Sequence, residues 1–317
     1  IGAMTIVEII DAHEGFSIST QSIKTKNKKI LAAIIVVLSF FLSAVLDNLT
    51  TTIVAVSIAL KIIQEPRDKI IVASMIVIAA NAGGVWSPIG EVTTTMLWMG
   101  NQITTGGVIK NIFVAGFISF VIPCVALSSR LKGDIALTNE QNAAVRASQH
   151  SMLFLFSGIL ALLSVPLFKS ITGLPPFMGM LLAMGLIWLL SEIIDRKKDE
   201  EERHQTSINH LLKKIDTPSI LFFLGILLAV GALSTAGVLS SFSHILNRLT
   251  NDFKLITMLL GISSAVIDNV PLIAAAQRMY ELNVFGTDHP FWLMLAYTTG
   301  TGGSLLIIGS AAGVAAM

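Results

Sequence analysis

Two short stretches place reactive side chains where water is scarce. Ser43-Ala44-Val45-Leu46-Asp47-Asn48-Leu49-Thr50-Thr51 and Ser264-Ala265-Val266-Ile267-Asp268-Asn269-Val270-Pro271-Leu272 each set an Asp and an Asn in the middle of a long apolar run. A carboxylate at membrane depth costs about 2.5–3.5 kcal/mol on insertion scales, so an intramembrane acid points to function. Finding it twice in one local sequence makes accident a poor explanation. A desolvated carboxylate takes either a proton or a metal cation as compensation, and one Asp cannot hold both. That competition is the physical basis of cation/proton exchange. Carboxylate, amide carbonyl, hydroxyl and unwound backbone carbonyl are the hard oxygen ligands that an alkali cation prefers, by analogy with calcium and magnesium. The bland alternative is that both Asp-Asn pairs cap helices at a turn, where these residue types are favoured.

Composition supports a membrane setting. The chain has 317 residues, 53% of them apolar and only 13% charged, with a mean hydropathy of +0.77. A soluble domain carries about 25% charge. Here the charge falls in a few short segments, which describes an all-α polytopic membrane protein. No basic patch suited to nucleic acid is present. Cys124, the single cysteine, lies in an apolar helix and reads as a packing residue. The chain opens inside the apolar run Ile1–Ile10 and stops inside another at Met317, so truncated terminal helices are expected.

The elements that must position the acids form two repeats. Residues 1–128 comprise the end of a helix, a helical hairpin at 30–63, a broken helix at 69–100 and a helix at 108–127. Helices at 151–167 and 175–194 connect the halves within 129–217. Residues 218–317 then comprise a helix at 218–233, a hairpin at 253–280 and a broken helix at 290–317. The arms of each hairpin are shorter than the ~20 residues of a spanning helix, so each hairpin is read as re-entrant, with Asp47 or Asp268 at its tip. Gly83-Gly84 to Gly90 and Gly302-Gly303 to Gly309 share one spacing, and glycine with proline interrupts the regular helix. Broken helices at membrane depth are tolerated where they are buried in protein or line a wet cavity. Internal repeats of this kind are an architecture of secondary transporters.

Charge placement predicts the topology. With both hairpins re-entrant, 16 of the 21 basic residues fall on one side: Lys61 and the 15 in loops 17–29, 64–69, 129–150 and 195–216. By the positive-inside rule that side is cytoplasmic. Five crossings then separate the copies, and an odd number makes the repeats inverted.

Further candidates surround the tips. Thr50 and Thr51 follow the first Asp-Asn. Asn81, Ser87, Glu91, Thr93, Thr94, Thr299, Thr301 and Ser304 lie at or near the glycine breaks. Glu91 is either a proton site or the capping acid of the resumed helix, and Ser310 takes its place in the second copy. Each neutral residue could equally bond a neighbouring helix. Glu8 and Asp11 share a helix face, with His13 and Glu14 beyond. This group is either a helix end reaching water or a proton-entry and pH-sensing cluster. No HExxH, Walker loop or GxSxG is present, and an enzyme or a channel is the competing class.

At Ser43–Thr52, Asn81–Thr95, Ser264–Leu272 and Thr298–Ala312, with Gly2–Phe16 in support, the sequence resembles the NhaD-type sodium/proton antiporters of the wider ion transporter superfamily. The resemblance runs over nearly the whole chain. It implies a bacterial inner-membrane antiporter without a cofactor, which exports Na+ and also Li+ in exchange for H+ and serves pH homeostasis. It implies a homodimer with an elevator-like movement. Asp47 and Asp268 would be the exchanging carboxylates and the Na+ ligands, with Asn48 and Asn269 as partners. Relatives that carry dicarboxylates have Ser-Asn-Thr at the tips. The Asp-Asn here favours a cation, and sodium-coupled anion symport is the alternative.

Overall fold

The apolar runs fold as helices in a computed structural model of the chain. It describes residues 2–15, 27–63, 65–131, 133, 150–196, 206–214, 217–250, 252–306 and 309–316. The basic segments 17–29, 129–150 and 195–216 therefore lie largely outside the described residues. Regular structure among the described residues is helical: α1 (Gly2–Ala12), α2 (Lys28–Leu46), α3 (Asn48–Ile62), α4 (Pro66–Gly84), α5 (Val92–Met99), α6 (Thr105–Ser128), α7 (Ser151–Thr172), α8 (Pro176–Asp195), α9 (Ile208–Lys214), α10 (Thr217–Thr235), α11 (Val238–Leu249), α12 (Phe253–Ser263), α13 (Asn269–Met279), α14 (Pro290–Gly302) and α15 (Ala311–Ala315). Four of these, α2, α6, α7 and α8, are long and apolar enough to cross a membrane. At 19 residues, α2 reaches crossing length, so the first arm is longer than its sequence suggested. Helix α7 also runs on past Pro166 and Lys169 to Thr172, and the turn expected at 169–173 shrinks to the left-handed Gly173 and its neighbours. The amphipathic α11 and the short α9 were not anticipated.

The chain divides into two compact units. One comprises residues 1–27 and 134–220. Its α1 packs on α7, α8 and α9, burying Ile6, Ile9 and Ile10. These recur at helical spacing, so one stripe of α1 faces the core. Ile9, Phe154, Ile187 and Leu211 meet at the centre. Gly158 is needed for the close approach: a Cβ there would stand 2.3 Å from Ile10 Cδ1. His13 does not reach water, as a simple helix end would. It is buried, stacks on Phe154 at 3.6 Å, and sets Nδ1 2.8 Å from the Ile9 carbonyl oxygen and Nε2 3.1 Å from Asp195 Oδ2. Asp11 faces outward, while His13 pairs with Asp195, 182 residues away in sequence.

The other unit comprises residues 28–133 and 221–317. Here α2 and α3 both pack on α4. Lys28, at the start of α2, donates to Asp68 Oδ2 at 2.8 Å, and Asp68 lies just past the end of α3. The α2–α3 pair therefore begins and ends at one place. Lys28, counted among the loop charges from sequence, is buried in this ion pair. The second copy closes its ends with aromatic rings instead. Phe253, at the start of α12, lies 5.5 Å from His289 at the start of α14, and Phe285 stacks on Phe291.

Glycine makes the same close approach in both copies. A Cβ on Gly83 would stand 2.1 Å from the Phe40 carbonyl oxygen, and one on Gly302 would stand 2.1 Å from that of Gly261. Ser43 Oγ donates to the Ala80 carbonyl and Ser264 Oγ to the Thr299 carbonyl, stapling each first arm to the helix before the break.

Two predictions follow from this packing. Gly83→Ala or Gly302→Ala should destabilise the protein by at least about 1–3 kcal/mol through overpacking, whereas Gly106→Ala, with open space around it, should not; thermal unfolding in detergent reads the difference. Asp195→Ala should lower stability by about 1–3 kcal/mol, the scale for a buried polar group left without its partner, and an unchanged melting temperature would contradict the pairing.

Candidate functional site

The first Asp-Asn sits in a one-residue interruption. Helix α2 ends at Leu46, α3 begins at Asn48, and Asp47 between them has φ 75° and ψ 159°. A non-glycine residue held there stores on the order of 1–3 kcal/mol of strain. The carboxylate offsets part of it: Oδ1 accepts from Thr50 N at 2.8 Å and Oδ2 from the Thr50 hydroxyl at 3.0 Å. In the second copy the interruption is longer, from Ser264 to Asp268, and Asp268 has an ordinary φ of −47°. Its Oδ1 accepts from Val270 N at 3.3 Å. Both acids are helix caps, as the bland reading held, and both are partly exposed. Capping uses the carboxylates from one direction and leaves lone pairs free on the other.

The neighbouring asparagines point inward to the two glycine breaks. Asn48 Nδ2 donates to Asn81 Oδ1 at 2.9 Å. Asn81 Nδ2 donates to Ser304 Oγ and Ser310 Oγ, each at 2.9 Å. In the other direction Asn269 Nδ2 donates to Glu91 Oε1. Both asparagines thus reach the first break, Asn48 before it at Asn81 and Asn269 after it at Glu91, and the helices that follow the breaks are exchanged between copies. Helix α15 packs on α3, and α5 packs on α13. Glu91 precedes α5 yet makes no side-chain cap, so its reading as a capping acid is overturned. Ser310, at the matching place, does cap α15 by accepting from Gly313 N.

The remaining candidates divide into two groups. Ser304 joins the Asn81 network. Thr94, Thr299 and Thr301 give their hydroxyls to backbone carbonyls of their own turns, and Ser87 Oγ accepts from Ile89 N. These are local contacts with the backbone. By contrast, the buried hydroxyls of Thr51, Thr52 and Thr93, and Glu91 Oε2, have no hydrogen-bond partner among the described residues. Such groups are costly in a folded protein and mark a place where a ligand, ion or water is used. Beside the Asn81 network a cavity of about 470 Å³ is lined by Ser119, Tyr297, Thr298, Thr301 and Ser304, among others. Ser310 escaped the sequence reading as a site residue, although its alignment with Glu91 was the available signal.

Carboxylates and amides gathered at interrupted helices of an apolar helical protein define a membrane transporter class. The comparisons agree. A citrate transporter family model (CitMHS) matches residues 1–300. The chain is 46% identical over 319 residues to sodium/proton antiporter 2 of Arabidopsis thaliana, covering 99% of this chain and 75% of the relative. It is 44% identical over 319 residues to sodium/proton antiporter 1 of the same plant, covering 100% of this chain and 55% of the relative. It is 31% identical over 302 residues to the Na(+)/H(+) antiporter NhaD of Alkalimonas amylolytica, covering 88% of this chain and 61% of the relative. The chain belongs to this transporter family and, within it, to the NhaD-type sodium/proton antiporters. It spans between about half and three quarters of the length of these relatives.

Asn81→Ala should remove the hub of three buried hydrogen bonds and leave Asn48, Ser304 and Ser310 short of a partner. At about 1–3 kcal/mol for each buried group left unsatisfied, the loss should exceed about 3 kcal/mol, measured as a fall in the unfolding midpoint. A loss below about 1 kcal/mol would show that the hub does not hold the breaks together.

Proposed function

We propose that this chain is the ion-translocating part of an antiporter that moves Na+, and also Li+, out of the cytoplasm in exchange for H+. The observation that carries this reading is the pair of Asp-Asn interruptions, each tied through its asparagine to a broken helix. Asp47 and Asp268 are the exchanging groups. Each is partly exposed, each keeps lone pairs beyond its cap, and no basic side chain forms a salt bridge with either among the described residues. A carboxylate so placed is compensated by a proton or by Na+, and release of one admits the other. Asn48, Asn269, Thr50 and Thr51 are the oxygen donors nearest in sequence.

The proposed architecture is an inverted repeat with re-entrant hairpins. The return of α2–α3 to its own starting point at Lys28 and Asp68 supports re-entry, as does the Phe253–His289 contact in the second copy. The matched glycine approaches support the repeat. With five crossings between the copies, the basic loops 17–29, 64–69, 129–150 and 195–216 lie on the cytoplasmic side. A homodimer in a bacterial inner membrane completes the reading.

A second reading, sodium-coupled symport of a dicarboxylate or another anion, is favoured by the citrate description of the matching family. Acidic rather than basic groups at the tips argue against an anion in that position.

The test is reconstitution into liposomes carrying an acidic interior and a pH-sensitive dye. External NaCl should dissipate the gradient and choline chloride should not. Asp47→Asn and Asp268→Asn should each cut Na+-driven proton flux at least a hundredfold while leaving a folded protein, since Asn still caps a helix. Full transport in either variant refutes the assignment. Citrate-stimulated 22Na+ uptake without proton flux would establish the second reading.

A further inference from the structure

The glycine breaks repeat with a spacing of 219 residues, from Gly83 to Gly302 and from Gly90 to Gly309. The same spacing pairs Asn81 with Gly300, Val85 with Ser304, and Glu91 with Ser310. These six positions form two crossings of opposite character. In one, the Asn81 side chain fills the space and donates to both serines, Ser304 and Ser310. In the other, position 300 has no side chain, and the space is filled from the opposite direction. A Cβ on Gly300 would stand 2.2 Å from Val85 Cγ1 and 2.3 Å from Glu91 Oε2. A large amide facing two small hydroxyls is thus exchanged for a glycine facing an acid and a valine.

The chemistry differs accordingly. The Asn81 crossing is neutral, and its hydrogen bonds are complete. The Glu91 crossing holds a carboxylate only 2% exposed. Its Oε1 is engaged by Asn269 and its Oε2 is unpartnered. A buried carboxylate oxygen without a donor has to be compensated by a proton or a cation. Val85 and Gly300 bring no side-chain oxygen to it; the Thr93 hydroxyl lies beside the carboxylate, but one carboxylate and one hydroxyl are fewer oxygens than a cation takes, and a proton needs only the one lone pair.

Resting on the antiporter reading, we infer that the two crossings are functionally unequal: the Gly300–Val85–Glu91 crossing is the proton-carrying half of the exchange, and Gly300 is the positioning residue that makes room for its acid. The proton adds to Glu91 Oε2 from one side of the membrane and leaves it toward the other. Asn269 passes the state of Glu91 to the adjacent Asp268, which lies within electrostatic reach. The Asn81–Ser304–Ser310 crossing carries no proton and joins its two breaks by neutral bonds.

The experiment rebuilds the neutral crossing in both halves. In the triple variant Val85→Ser/Glu91→Ser/Gly300→Asn, reconstituted in liposomes, two rates are compared with wild type: 22Na+/Na+ exchange at equal pH, and Na+-driven proton flux. The ratio of proton flux to Na+/Na+ exchange should fall at least tenfold. A ratio equal to wild type overturns the proposal. Should the triple variant fail to fold, Glu91→Gln reads the same ratio, because its amide oxygen still accepts from Asn269 and cannot take the proton. If wild type shows neither rate, the antiporter reading fails and the proton role falls with it. The seat is then judged by unfolding alone. Gly300→Ala should lower the melting temperature in the wild-type background and not in the Val85→Ala/Glu91→Ala background, and an equal fall in both would overturn the seat as well.

Discussion

The structure depends on one constraint: polar groups placed inside an apolar helical protein must find partners within the protein. Interrupting a helix at membrane depth frees backbone and side-chain groups that water cannot satisfy. Here the answer is reciprocal. Asn48 and Asn269 turn from the hairpin tips to the glycine breaks, and the carboxylates of Asp47 and Asp268 turn back to cap the helices that follow them. The acids are thereby held in place, and no basic residue forms a salt bridge with either among the described residues.

Close backbone approach is what lets those short side chains reach. Gly83 and Gly302 bring the helix before each break against the carbonyls of Phe40 and Gly261, closer than any Cβ would permit. The serine staples at Ser43 and Ser264 then fix the register of each first arm. An asparagine side chain spans only a few ångströms, so the amide network exists because the backbones were first drawn together. Interfaces rich in small residues are the general solution where helices pack without a hydrophobic driving force.

The two copies share their glycine approaches and serine staples and differ elsewhere. One closes its open end with the Lys28–Asp68 ion pair, the other with Phe253 and His289. One turns in a single strained residue, Asp47, and the other over the five residues 264–268.

Much of this was legible in the amino-acid order. Hydrophobic runs of helical length, the repeated Asp-Asn and the repeated glycine spacing located the helices, the tips and the breaks, because each rests on local backbone physics that a short segment expresses by itself. Helix ends were less legible: Pro166 and Lys169 read as a stop, but packing carries α7 on to Thr172. Partnerships were not legible at all. His13 pairs with Asp195 and Glu91 with Asn269, across 182 and 178 residues, and nothing local marks either choice. Glu91 read equally as a proton site or a cap, and it is a buried acid for which Gly300 on another helix leaves room. The sequence by itself determined which residues are available and where the chain must bend. Only the tertiary structure decided which of them meet, since hydrogen bonds and steric fit act over ångströms and are blind to separation along the chain.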